Sequence, residues 1–183
     1  QTLQRTFIRM IYVSQTNITP ELSKELIEFF NSNILKTYVW DETRVLSMDA
    51  GGMGNKDLPD TYYKLVELTK TIKSFVDHDS KFKILQNVEI VEYPCGAAKG
   101  YHYDVTRKTT TGASITYLND DYIGGNTIIG GVDVQPMMGR TVYFDGCEFR
   151  HAVSNVLKGD RYTISSWYGE DVSLPLNKDF TNL

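Results

Sequence analysis

Cysteine is scarce: Cys95 and Cys147 are the only two in 183 residues. So low a count argues against a disulfide-stapled scaffold and fits two free thiols in a reducing, cytoplasmic setting, though a single bridge stays open on sequence alone. Positive charge is not in excess either. Lys and Arg number 19 against 23 Asp and Glu, and the net charge of −4 offers no basic footprint for nucleic acid. No apolar run approaches the length that crosses a bilayer, so no membrane partner is expected. Repeats and low-complexity segments are missing as well. The length suits one domain over 1–183, with helical and strand support over 1–81 and a β core over about 82–170. Tyrosine is plentiful, 12 against 8 Phe, and each one buried brings a hydroxyl that needs a partner.

Phosphate-binding signatures are also wanting. Asp49–Asp57 holds three glycines in four positions, but no Gly-Lys-Ser/Thr follows and the spacing fits no dinucleotide fingerprint. The stretch reads as a surface loop, with a mobile lid over a substrate cleft as the alternative. Two helices are expected before the core. One starts at Thr19-Pro20-Glu21 as cap, first position and first turn, carries an apolar stripe of Leu22, Leu26, Phe29 and Phe30, and ends near Asn31–Asn33. The other starts at Leu58-Pro59-Asp60 and runs to about Val76, with Tyr62, Leu65, Val66, Leu68, Ile72 and Phe75 as its stripe. Asp77-His78-Asp79 beyond it reads as a polar turn rather than a metal site. Strands are expected over Thr2–Val13 and over Thr37–Leu46, the latter broken at Trp40-Asp41.

From Phe82 onward the pattern is short strands punctuated by glycine: Phe82–Tyr93, Tyr101–Val105, Ala113–Leu118, Asn126–Ile129, Val132–Val134, Arg140–Phe144, Ala152–Val156 and Arg161–Tyr168. That spacing predicts an antiparallel sandwich or jelly roll rather than a parallel sheet. His102-Tyr103-Asp104 lies in one such run. Strand alternation would put His102 and Asp104 on one face, and His151, 47 residues past the aspartate, could complete a metal-binding triad. Two His and one carboxylate with open positions suit non-haem Fe(II), and zinc is the competing metal. The helical zinc-protease motif is absent. Arg161, ten residues after His151, could fork onto a carboxylate, with Thr163 on the same face; as a lone Arg beside Asp160 it could equally be a surface charge.

Taken in order, Tyr93-Pro94, Gly100–Asp104, Thr116–Asp120, Gly124–Thr127, Pro136–Arg140, His151-Ala152-Val153 and Arg161–Tyr168 resemble the prolyl 4-hydroxylase branch of the Fe(II)- and 2-oxoglutarate-dependent dioxygenases. The resemblance implies a mainly β fold, a double-stranded β-helix (jelly roll, cupin-like) buttressed by two or more helices. It implies that His102, Asp104 and His151 bind iron, and that Arg161 pairs with the far carboxylate of 2-oxoglutarate, assisted by Tyr117 and Thr163. Tyr93 would lie near the chelating end of the co-substrate and Trp167 would wall the pocket. Fe(II), 2-oxoglutarate and dioxygen, with ascorbate as an added reductant, are the implied cofactors. A proline-containing peptide or protein is the implied partner; a free amino acid, another side chain or a small metabolite is the alternative. A non-catalytic β-barrel binding module is the reading from another class. Departures from the pattern concern the substrate: Arg161 stands where collagen-type members carry Lys, Asn126 where many relatives have Glu, and the substrate-gripping Arg has no clear counterpart near Thr109–Thr111.

Overall fold

The computed structural model describes residues 11–48, 58–104, 109–171, 178–181 and 183. Strand β1 (Tyr12–Gln15) is followed by helix α1 (Pro20–Ser32). The Thr19 hydroxyl caps α1 by accepting from the Leu22 N–H at 3.2 Å, and Pro20 takes the position whose N–H needs no partner. Asn33 closes the helix, its side-chain amide donating to the Phe29 carbonyl at 2.9 Å. A hairpin comes next, β2 (Tyr38–Trp40) and β3 (Thr43–Ser47), turning at Asp41, whose φ of 53° is a left-handed conformation that Asp tolerates. Helix α2 (Asp60–Ser74) and a 3-10 turn (Ser80–Phe82) lead into the long strand β4 (Ile84–Tyr93).

The core continues through β5 (Lys99–His102), β6 (Thr110–Tyr117), β7 (Ile123–Gly124), β8 (Thr127–Ile129), β9 (Val132–Val134) and β10 (Arg140–Phe144). It ends with β11 (His151–Val153), β12 (Val156–Lys158), β13 (Arg161–Gly169) and a short helix α3 (Lys178–Thr181). Seven strands form the major sheet in the order β1-β10-β6-β13-β4-β3-β2, four form the minor sheet β5-β11-β8-β9, and β12 pairs with β7. Every pairing is antiparallel. Two opposed antiparallel sheets with helices on one outer face make a double-stranded β-helix.

Two cores result. Leu26, Phe29 and Phe30 of α1 and Leu65, Leu68 and Ile72 of α2 bury against Val88, Ile90, Ile164 and Tyr168 on the helix-facing side of the major sheet. Between the sheets lie Ala113, Tyr117, Ile129, Val142, Phe144 and Phe149. Strand β4, beside the central β13, is buried from Leu85 to Glu92, although Glu89 and Glu92 give it a mixed polar pattern. Glu92 is kept inside by Arg44, which pairs with it, and by the Tyr162 hydroxyl at 2.8 Å.

Several expectations shift. Tyr101–Val105 is not one strand: β5 stops at His102, and Asp104 lies beyond it. Ala152–Val156 is split between β11 and β12, with Ser154 between them bonded twice to Asn126, its N–H donating to the Asn126 carbonyl at 3.0 Å and its hydroxyl accepting from the Asn126 N–H at 2.9 Å. Phe75 is half-exposed and stacks on Tyr143 rather than joining the buried stripe. Strands β1 to β3 come from the N-terminal stretch read as support, yet they extend both edges of the major sheet. The Asp77-His78-Asp79 segment is a polar turn: Asp77 pairs with Lys73, Asp79 accepts from the Lys81 N–H, and the His78 ring packs edge-on to Tyr12. Residues 1–10, the loop 49–57 with its lid alternative, Val105 and Arg107-Lys108 lie outside the described residues.

Candidate active site

Strands β5 and β11 run antiparallel with His102 directly opposite His151. Cross-strand partners present their side chains together, so the two imidazoles lie with centroids 4.2 Å apart. Each ring is pinned the same way. His102 Nδ1 is 2.8 Å from the Gly100 carbonyl, and His151 Nδ1 is 2.9 Å from the Phe149 carbonyl, in both cases two residues back along the chain. A carbonyl can only accept, so both Nδ1 atoms carry protons and donate them. In the neutral rings both Nε2 atoms then present lone pairs.

Asp104 reaches the same point from beyond the strand end. Its N–H donates to the Gly146 carbonyl at 2.9 Å, and its Oδ1 lies 3.5 Å from His151 Nε2 and 4.0 Å from His102 Nε2. The three ligand atoms fall within 4.8 Å of one another. A metal about 2.1 Å from each of three mutually cis ligands would space them about 3.0 Å apart, so a small inward adjustment closes the set. Burial lowers the His102 pKa below its usual value, ahead of the opposing hydrogen bond to Gly100, and this disfavours an imidazolium as the partner of Asp104. Three acceptor atoms aimed at one point call for a cation.

Across the gap, on β13, Arg161 is 1 % exposed and therefore not a surface charge. Its Cζ lies 4.7 Å from the Tyr93 ring and 5.3 Å from the Tyr117 ring. Its hydrogen bonds go to hydroxyls, Nη1 to Thr163 Oγ1 at 3.5 Å and Nη2 to Thr127 Oγ1 at 3.2 Å, while Nε has none. Among the described residues no carboxylate pairs with it. A buried guanidinium without an acid is poised for an anionic ligand. Tyr117 donates its hydroxyl to Thr127 Oγ1 at 2.6 Å, and burial raises the Tyr93 pKa, keeping that hydroxyl a neutral donor.

Two linked hollows meet here. The inner, about 70 Å³, is lined by His102, Asp104, His151, Thr127, Tyr93 and Trp167. The outer, about 290 Å³, shares Tyr93, His102, Asp104 and Trp167 and opens past Trp40, Lys99 and Tyr103. Larger surface grooves of about 820 and 550 Å³ border α1, away from the three ligand atoms. Their size reflects open solvent between helix and sheet, whereas the smaller hollows hold the convergent polar groups that mark a site. The donor set fits iron with a dicarboxylate: two imidazoles and a carboxylate at one end, a buried guanidinium at the other.

A sequence profile of the 2OG-Fe(II) oxygenase superfamily matches residues 88–169, which include all three metal-ligand candidates and Arg161. The matched stretch is the β core from β4 to β13. Solved structures with the same fold include a prolyl-4-hydroxylase of Pseudomonas putida, 15% identical with TM-score 0.71, covering 90% of this chain and 94% of that one. A prolyl hydroxylase of Trichoplax adhaerens, in complex with a hypoxia inducible factor peptide fragment, is 14% identical with TM-score 0.69, covering 88% and 84%. The viral collagen prolyl hydroxylase of Paramecium Bursaria Chlorella virus-1, in a 2OG complex, is 16% identical with TM-score 0.63, covering 86% and 93%. No curated protein sequence matches the chain.

Of the residues singled out from sequence, His102, Asp104, His151, Tyr93 and Trp167 line the inner hollow, and Arg161, Tyr117 and Thr163 are joined to its wall through Thr127 and the Tyr93 ring. Sequence reading missed Thr127, although the quoted Gly124–Thr127 segment contains it. It also missed the two carbonyls that set the histidine tautomers, which no side-chain motif can reveal. Both thiols are free, as expected, Cys95 exposed and Cys147 half-buried. Among the described residues no helix is long and apolar enough to cross a membrane.

Proposed function

We propose that the protein is an Fe(II)- and 2-oxoglutarate-dependent dioxygenase that hydroxylates a prolyl residue in a peptide or protein. The overall change is balanced: substrate C–H, 2-oxoglutarate and dioxygen give substrate C–OH, succinate and carbon dioxide. The observation that carries this reading is the pairing, across one gap, of three convergent acceptor atoms with a buried guanidinium that lacks an acid. His102, Asp104 and His151 would hold the metal on one face. Arg161 and Thr163 would take the far carboxylate of the co-substrate, with Tyr117 beside them and Tyr93 near the metal end.

Bound iron supplies the activation of dioxygen that is coupled to loss of the co-substrate's carboxyl group. The remaining tasks fall to this chain's own residues. The Gly100 and Phe149 carbonyls keep Nε2 of each histidine deprotonated and aimed. Trp167 and Phe144 give the inner hollow apolar walls. At the mouth, Trp40 and Tyr103 are 50% and 46% exposed, an aromatic surface suited to an extended peptide.

The test is the purified protein with Fe(II), 2-oxoglutarate, ascorbate and a proline-containing peptide library. Succinate should form and a peptide should gain the mass of one oxygen at proline. His102→Ala should remove both. Succinate formation that persists in His102→Ala would overturn the site, and oxygen gain on a free amino acid instead of a peptide would overturn the substrate class.

A further inference from the structure

The segment joining β10 to β11 gives no ligand atom, yet it touches two of the three candidates. Asp145 shapes it. Its Oδ1 accepts from the Cys147 and Glu148 N–H groups, both at 2.9 Å, its Oδ2 receives Lys81 Nζ at 2.6 Å, and its carbonyl receives the Phe149 N–H at 2.9 Å. The turn so formed points the Gly146 carbonyl at the Asp104 N–H and brings Cys147 Sγ to 3.2 Å from the Asp104 carbonyl. Its last residue, Phe149, supplies the carbonyl that orients His151.

Gly146 has no left-handed φ, so its backbone conformation is open to any residue. Space is what excludes a side chain. A Cβ there would stand 2.3 Å from Asp104 Oδ2, 2.9 Å from its Cγ and 3.0 Å from its Cβ. Asp104 lies beyond the end of β5 and has no ladder to hold it, so this bare backbone is the berth of its carboxylate.

We propose that Asp145 and Gly146 are positioning residues for the metal centre, one bracing the turn and the other leaving room for Asp104. The inference rests on the metal reading of His102, Asp104 and His151. Groups that orient ligands typically change metal affinity by about 10- to 100-fold when altered.

Mn(II) titration of the full purified chain, followed by electron paramagnetic resonance, tests it alongside thermal melting without metal. Wild type should bind one Mn(II) and His102→Ala none. Gly146→Ala should melt near wild type yet bind Mn(II) at least about tenfold more weakly. Asp145→Ala should weaken binding similarly, and Asp145→Asn should recover most of it, because its Oδ1 still accepts from both N–H groups. Glu148→Gln is the control that leaves affinity unchanged. Wild-type affinity in folded Gly146→Ala overturns the proposal while leaving the metal reading intact. Absence of Mn(II) binding in wild type overturns both. Should Asp145→Ala fail to fold, Gly146→Ala decides.

Discussion

Replacing Arg161 with Met separates two roles that a buried arginine can have. In wild type the guanidinium is 1 % exposed, hydrogen-bonded to the hydroxyls of Thr127 and Thr163, and faced by the Tyr93 and Tyr117 rings. An anchor for a carboxylate would lose two charge-assisted hydrogen bonds, about 1.5–3 kcal/mol each, so 2-oxoglutarate binding should weaken by about 3–6 kcal/mol, or roughly 10²- to 10⁴-fold. The ligand-free protein should respond quite differently. Removing an uncompensated buried charge relieves a desolvation cost, and lost cation–π contact of about 1–2 kcal/mol works against that gain. The net should leave the Tm within about 4 °C of wild type, since about 1 kcal/mol shifts a chain of this size by about 2–4 °C. Thermal melting with Mn(II) reads both. At 100 times its Kd, 2-oxoglutarate should stabilise wild type by about 2.7 kcal/mol, which is about 5–11 °C, and the variant by no more than about 0.4 kcal/mol, under about 2 °C, at the same concentration. Equal stabilisation of the variant would refute the anchor. A collapse of the ligand-free Tm by more than about 10 °C would show instead that Arg161 is mainly a structural element.

Tyr117→Phe removes the hydroxyl that bonds Thr127 at 2.6 Å, and should weaken 2-oxoglutarate binding by about 1 kcal/mol, roughly fivefold, by calorimetry with Mn(II); an unchanged Kd would exclude Tyr117 from the anchor. Trp40 lines the outer hollow only, so Trp40→Ala should raise peptide KM by more than about tenfold while leaving 2-oxoglutarate affinity as it was. A loss of 2-oxoglutarate affinity in that variant would mean that Trp40 acts on the inner site.

Much of the site was legible because its chemistry needs particular side chains in order along the chain. His102, Asp104, His151 and Arg161 stood out by residue type and spacing, and helix α1 by its Thr19-Pro20 start. The geometry that joins them was less so. Period-two alternation put His102 and Asp104 on one strand face, but the strand ends at His102, and it is a distant turn that steers the aspartate back. Gly146 looked like a turn glycine and acts through close approach, which depends on a partner 42 residues earlier. Nor could Phe75 be sorted from its helical stripe, because its exposure depends on where α2 stops.

Thr127 has a consequence of its own. It accepts from Tyr117 and Arg161 of the major sheet while sitting opposite Val153 on the strand that carries His151. The co-substrate anchor and a metal-bearing strand thus share one hydroxyl as a joint. Any change in how tightly that joint is held when one ligand binds must alter affinity for the other by the same factor, since binding free energies around a closed cycle sum to zero. Metal and co-substrate are then partners in a single equilibrium, and a Kd for either has meaning only at a stated concentration of the other.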